Sequence, residues 1–124
     1  MTFVRFLAVA MLPLALSAPG RAQPKSQTII VWSFGFSPKP ILLSAGRSVT
    51  LTFVNRSGSN HDFVAKTFFG RSTITAGAAP DGEIDLPPYA TRSITLIPRT
   101  GNYSAHCSHF FHKQLGMSDQ IIVV

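Results

Sequence analysis

The sequence predicts an all-β chain folded as a Greek-key β-sandwich of seven or eight strands, preceded by a cleavable signal peptide. Three observations carry that expectation: short runs rich in β-branched and aromatic residues, alternation of apolar and polar positions within them, and clusters of Gly, Pro, Ser and Asn between them. With 124 residues, 45% of them hydrophobic, the chain is long enough for one domain with a core and too short for two. No internal repeat or low-complexity segment interrupts it.

Arg5 precedes an uninterrupted apolar run over residues 6–16, and small, turn-prone residues follow through Ala22, the pattern of a secretory signal peptide. Cleavage is expected after Ala22, with Gly20 at the third position back. Residues 1–22 are therefore assigned to the signal peptide and 23–124 to the domain. The apolar run is too short to span a bilayer comfortably, and no cysteine stands near the cleavage site to carry a lipid. A periplasmic location is the consequence.

Residues 28–36 read as one half-buried strand with Ile30, Trp32, Phe34 and Phe36 on a shared face, stopped by Ser37-Pro38-Lys39-Pro40. A short strand over 41–43 follows, then a turn at Ala45-Gly46. Residues 48–55 alternate again, with Val49, Leu51 and Phe53 facing one way. Arg56-Ser57-Gly58-Ser59 is a turn cluster, which sets His61 at the start of the next strand, at the rim of the sheet. Residues 66–81 read as irregular, with a single helical turn at 66–70 as an alternative. Strands resume at 83–86 and at 91–97, where Ile94 and Leu96 share a face. Pro98 to Gly101 then turns the chain into a strand over 102–107. There Tyr103, Ala105 and Cys107 point inward while Ser104 and His106 point outward, and residues 117–124 form the last strand.

Removing Arg5 and Arg21 from the eleven Lys and Arg leaves nine against five acidic residues, a net charge of about +4. The positive residues are scattered and form no run that would track a phosphate backbone, which argues against nucleic-acid binding. A mildly basic, sparsely charged surface suits transient docking to an acidic protein partner.

Cys107 is the sole cysteine, so no disulfide can form within the chain. It is left buried and inert, joined to another chain, or held as a metal thiolate. Its spacing favours the last of these. An imidazole follows five residues on, at His112, and a thioether five beyond that, at Met117. Strand parity aims the thiolate into the sandwich, the 108–116 loop returns through Met117, and His61 is expected to reach the same point from the other sheet. Two His, one Cys and a weak axial Met make up the donor set of a blue-copper site: the sulfur donors favour Cu(I), and imidazole suits both oxidation states. His109, two residues beyond Cys107, is the alternative to His112 as second imidazole, or else a solvent-exposed side chain. His106 faces away from the metal.

The C-terminal run Gly101-Asn-Tyr-Ser-Ala-His-Cys107-Ser-His-Phe-Phe-His112-Lys-Gln-Leu-Gly-Met117 resembles the copper-binding end of the small bacterial cupredoxins, the plastocyanin and rusticyanin group. Phe34-Gly-Phe36-Ser-Pro38, Leu51-Thr-Phe53-Val-Asn55 and Asn60-His61-Asp-Phe63 carry the likeness through most of residues 28–124. The resemblance implies a cupredoxin-like sandwich binding one type 1 copper ion through His61, Cys107, His112 and Met117. It also implies that Asn60, beside the first histidine, ties the two ligand loops together. The expected role is a one-electron carrier, not an enzyme, acting with a transient redox protein partner such as a cytochrome, oxidase or reductase. A monomer is expected, with no membrane insertion of the mature domain. The alternative is a periplasmic copper-handling protein, for storage, delivery or resistance, using the same site.

The chain also departs from the pattern. Four residues separate Cys107 from His112, as in rusticyanin-like and azurin-like loops, where plastocyanins have two, and Phe111 stands where Gly or Pro is common. The string His106-Cys107-Ser-His109-x-x-His112 is similar to the copper-ligand end of multicopper oxidases, but the His-x-His pairs of their trinuclear cluster are missing. Phe110, Phe111 and Leu115 flank His112, with Phe68 and Phe69 expected nearby; these rings form either an apolar collar that serves as a docking surface or simple core packing.

Overall fold

The computed structural model describes residues 25–109 and 117–124, together with Pro13. The signal peptide assigned to residues 1–22 lies, Pro13 apart, outside the described residues. The chain forms β1 (Lys25–Trp32), β2 (Gly35–Ser37), β3 (Ile41–Leu43), β4 (Val49–Asn55), β5 (His61–Val64) and α1 (Lys66–Arg71). It continues with β6 (Thr73–Ala76), a single tight helical turn at Pro80–Gly82, β7 (Glu83–Leu86), β8 (Thr91–Ile97), β9 (Gly101–His106) and β10 (Ser118–Val123). Two five-stranded sheets result, in the orders β2-β1-β4-β8-β6 and β3-β10-β9-β5-β7. This is the expected Greek-key sandwich.

The described residues hold ten strands. The additional strands arise where the alternation misleads. Residues 28–36 are not one strand: the chain reverses after Trp32, so that Trp32 pairs with Gly35 and Ile30 with Ser37. β1 is flanked by β2 and by a parallel β4, and it buries Ile29 and Val31 completely. Trp32 and Phe34, expected inside, stand 38% and 64% exposed. Both parities of this run carry large apolar residues, so alternation alone could not choose the inner face. Residues 66–81 are also more regular than expected. α1 forms without a side-chain cap, and buried Phe68 and Phe69 hold it to the core. β6 then pairs with the edge of β8, although all four of its residues are exposed.

The core lies between the sheets. Val49, Leu51 and Phe53 of β4 and Ile94 and Leu96 of β8 meet Phe63, Leu86, Tyr103, Ala105, Ile121 and Val123 from the other sheet. Phe63 is its hub, packing at 5.3 Å against Phe36 and 4.7 Å against Phe53. Edge-on and tilted contacts of this kind add about 0.5–1.5 kcal/mol per pair to the area buried. Among the described residues no helix is long and apolar enough to cross a membrane.

Candidate metal centre

β5, β9 and β10 build the centre, and all three belong to one sheet. β5 runs antiparallel to β9 with Val64 opposite His106, so the chain that leaves β9 passes directly beside His61 and Asp62. β10 returns on the other side of β9 with Ser118 opposite His106, and the Cys107 N–H donates to the Met117 carbonyl at 2.9 Å. His61 therefore approaches Cys107 from a neighbouring strand of the same sheet. The expected reach across from the other sheet is corrected by the β5–β9 pairing.

His61 and Met117 are fully buried, and Cys107 is 1% exposed. His61 Nδ1 stands 3.8 Å from Cys107 Sγ. A first-row metal ion about 2.3 Å from a thiolate and about 2.0 Å from an imidazole nitrogen spans such a separation at an angle of about 120°. His109 is half-buried, its ring centre 6.5 Å from that of His61 and nearly perpendicular to it. Asp62, Cys107 and His109 each bring a ligand atom to within 4.8 Å of the others. His112 lies outside the described residues, as do Phe110, Phe111 and Leu115.

The donors are held from behind. Asp62 accepts from the Ser108 N–H at 2.6 Å through Oδ1 and from the Ser108 hydroxyl through Oδ2. It thereby pins the residue after the cysteine to the residue after the histidine. Burial by itself would raise the Asp62 carboxyl, but the hydrogen bonds it makes with Ser108, Glu83 and Cys107 together outweigh that and hold the group below the usual carboxylate range. Glu83, which shares a hydrogen with Asp62, is pushed up by that contact. The Cys107 thiol is pushed up to about 11, chiefly by burial. A metal cation reverses that preference, because the bound form is the thiolate.

Asn60, expected to tie the ligand loops, is exposed, and the tie between the two ligand-bearing segments comes from Asp62. A second brace, Asn55, is almost wholly buried. Its amide donates to the carbonyls of Ser59, Leu86 and Pro87 at 2.8, 3.0 and 3.1 Å, and its Oδ1 accepts from the Ser57 N–H and hydroxyl at 2.9 Å each. These bonds set the 56–60 loop that delivers His61. Sequence reasoning singled out neither residue. The signals were an acid inside an otherwise apolar strand, with a serine beside the only cysteine, and an asparagine entering a Ser-Gly-Ser turn.

Phe68 and Phe69 do not form a collar. They are 1% and 3% exposed and pack on Phe63 and Tyr103 in the core. Among the described residues, the apolar groups on the surface at the end where β5 begins include Trp32, Phe34 and Tyr89, at 38%, 64% and 72% exposure. The Arg56 N–H bond to Val31 O, at 2.8 Å, and the Tyr89 N–H bond to Ser57 O, at 3.2 Å, join their loops to the one that delivers His61.

No protein-family model matches the sequence, and no curated protein matches it at sequence level. Solved structures do match in shape. The dithionite-reduced auracyanin of the photosynthetic bacterium Roseiflexus castenholzii superposes with a TM-score of 0.60 at 18% identity, over 81% of this chain and 97% of that one. Auracyanin A, a blue copper protein of the green thermophilic bacterium Chloroflexus aurantiacus, gives 0.56 at 18% identity, over 80% and 99%. A multicopper oxidase of Campylobacter jejuni gives 0.63 at 14% identity, over 86% of this chain and 31% of the oxidase. The chain has the cupredoxin fold.

Proposed function

We propose that the protein is a periplasmic blue-copper electron carrier that holds one copper ion with His61, Cys107, Met117 and a second imidazole, His112, with His109 as the alternative. The observation that carries this reading is the buried approach of His61 Nδ1 to Cys107 Sγ, at 3.8 Å, with buried Met117, just before β10, bonded through its carbonyl to the Cys107 N–H. The donor types fit: sulfur for Cu(I), imidazole for both oxidation states, and a mixed set between their geometric preferences. Bound copper would supply a one-electron couple. The chain's part is to keep the donors in place through the change: Asp62 ties the segment after Cys107 to β5, and Asn55 braces the loop that delivers His61. Trp32, Phe34 and Tyr89 offer apolar surface at the same end, suited to brief contact with a redox partner protein.

Adding one equivalent of Cu(II) to the metal-free protein is expected to produce an intense visible thiolate-to-copper band that disappears and returns on reduction and reoxidation. Cys107→Ser should abolish it. A colourless, redox-silent Cu(II) complex would rule the carrier out. His112→Ala is expected to lose the band and His109→Ala to keep it; the opposite result puts His109 in the ligand plane. The half-buried His109 beside the donors also supports a second reading, copper storage or delivery. Transfer of copper to an acceptor without electron turnover would favour it.

A further inference from the structure

Asp62 is a buried carboxylate whose nearest ligand atom stands within 4.8 Å of the Cys107 sulfur. A neutral amide at this place could tie Ser108 equally well, so the tie alone does not require an acid. Each carboxylate oxygen already accepts a hydrogen from Ser108, one from the backbone and one from the hydroxyl. Those bonds occupy the group, and a hard oxygen donor is also poorly suited to Cu(I). Both points set Asp62 beside the metal rather than on it.

We propose that Asp62 is a positioning residue whose negative charge biases the centre toward the oxidised metal and lowers its reduction potential. The proposal rests on the copper reading above and deepens it. Reduction adds one electron, supplied by the partner protein, and lowers the metal's charge from two to one. A fixed anion within 4.8 Å of the thiolate sulfur would therefore attract a bound oxidised ion more strongly than a reduced one. Asp85, on the neighbouring β7, is exposed and adds charge of the same sign, while the Ser108 donors and the hydrogen shared with Glu83 partly neutralise Asp62. Even with that partial neutralisation, the carboxylate should favour Cu(II) over Cu(I) by at least about tenfold.

The test uses the copper-loaded chain and two substitutions of opposite expected sign. Asp62→Asn keeps the shape and an acceptor for the Ser108 N–H while removing the charge. Its reduction potential, measured by mediator titration, is expected to rise by about 59 mV or more, the one-electron equivalent of tenfold, with the thiolate band retained. Ser108→Ala removes the hydroxyl donor and leaves the carboxylate less neutralised, so the potential is expected to fall. In parallel, metal-free Asp62→Asn should lose affinity for Cu(II) relative to Cu(I) in competition with chelators. Shifts of the same sign in both variants, or an unchanged potential in Asp62→Asn, overturn the proposal. So does a changed electron-spin-resonance pattern in Asp62→Asn, which would make Asp62 a ligand. If Asp62→Asn fails to fold, the sign of the Ser108→Ala shift decides. A wild-type protein without the thiolate band fails the copper reading itself, whereas a normal band with an unmoved potential fails only this inference.

Discussion

Asn55 fixes the approach to His61 with one side chain. Its amide and carbonyl together make five hydrogen bonds to the 56–59 turn and the end of β7. Asn55→Ala would strand buried partners, the Leu86 carbonyl among them, so a loss of roughly 3 kcal/mol is expected. Denaturant unfolding checks this: the midpoint should fall while the slope stays constant. At this scale the sequence pointed to Cys107, the sole cysteine, and to His61, which the structure brings to 3.8 Å from its sulfur. It did not point to Asn55 or Asp62, because a hydrogen-bond brace depends on strands brought together over 31 and 46 residues of sequence separation.

The junction of α1 with β7 belongs to the scale of elements. The Ala65 N–H donates to Gly82 O at 2.9 Å, and Gly82 has φ +73°. A Cβ there would lie 2.5 Å from the Lys66 Cα, whereas at Gly46, φ +72°, it would meet nothing within 4 Å. Gly46→Ala is therefore expected to cost about 1 kcal/mol, the left-handed backbone penalty alone. Gly82→Ala should cost at least about twice that, since helix and strand must part; thermal unfolding of the two variants compares them directly. The strands legible in sequence are those with one apolar parity, such as β4 and β8. β1 carries apolar residues on both parities, and β6 has no buried residue, so neither its face nor its existence was written in alternation.

For the whole molecule, the buried thiol links the site to global stability. Cys107 titrates at about 11 in the fold against 9.0 when unperturbed, because burial disfavours the thiolate. The unfolded chain thus ionises first as pH rises. The stability this residue contributes is complete below about pH 9 and is lost as pH climbs toward 11. Metal-free wild type should lose more stability over that window than metal-free Cys107→Ser, measured by urea unfolding at each pH. The sandwich itself was legible because its class depends on pattern and turn spacing. The placement of both His61 and Cys107 on one sheet was not, because strand order is a long-range property that local pattern does not carry.

His61 and Cys107 are 46 residues apart in sequence, and the pairing of β10 with β9 brings the Met117 carbonyl to the Cys107 N–H. A nascent chain that has made β5 and β9 still has no closed cage. Only when β10 docks does the Met117 backbone close on Cys107. Metal capture is thus tied to the completion of folding, and the ions present where the last strand docks are those the thiol can select among. Since selectivity among metals rests on donor type, geometry and which ions are at hand, the place of final folding becomes part of the protein's specificity.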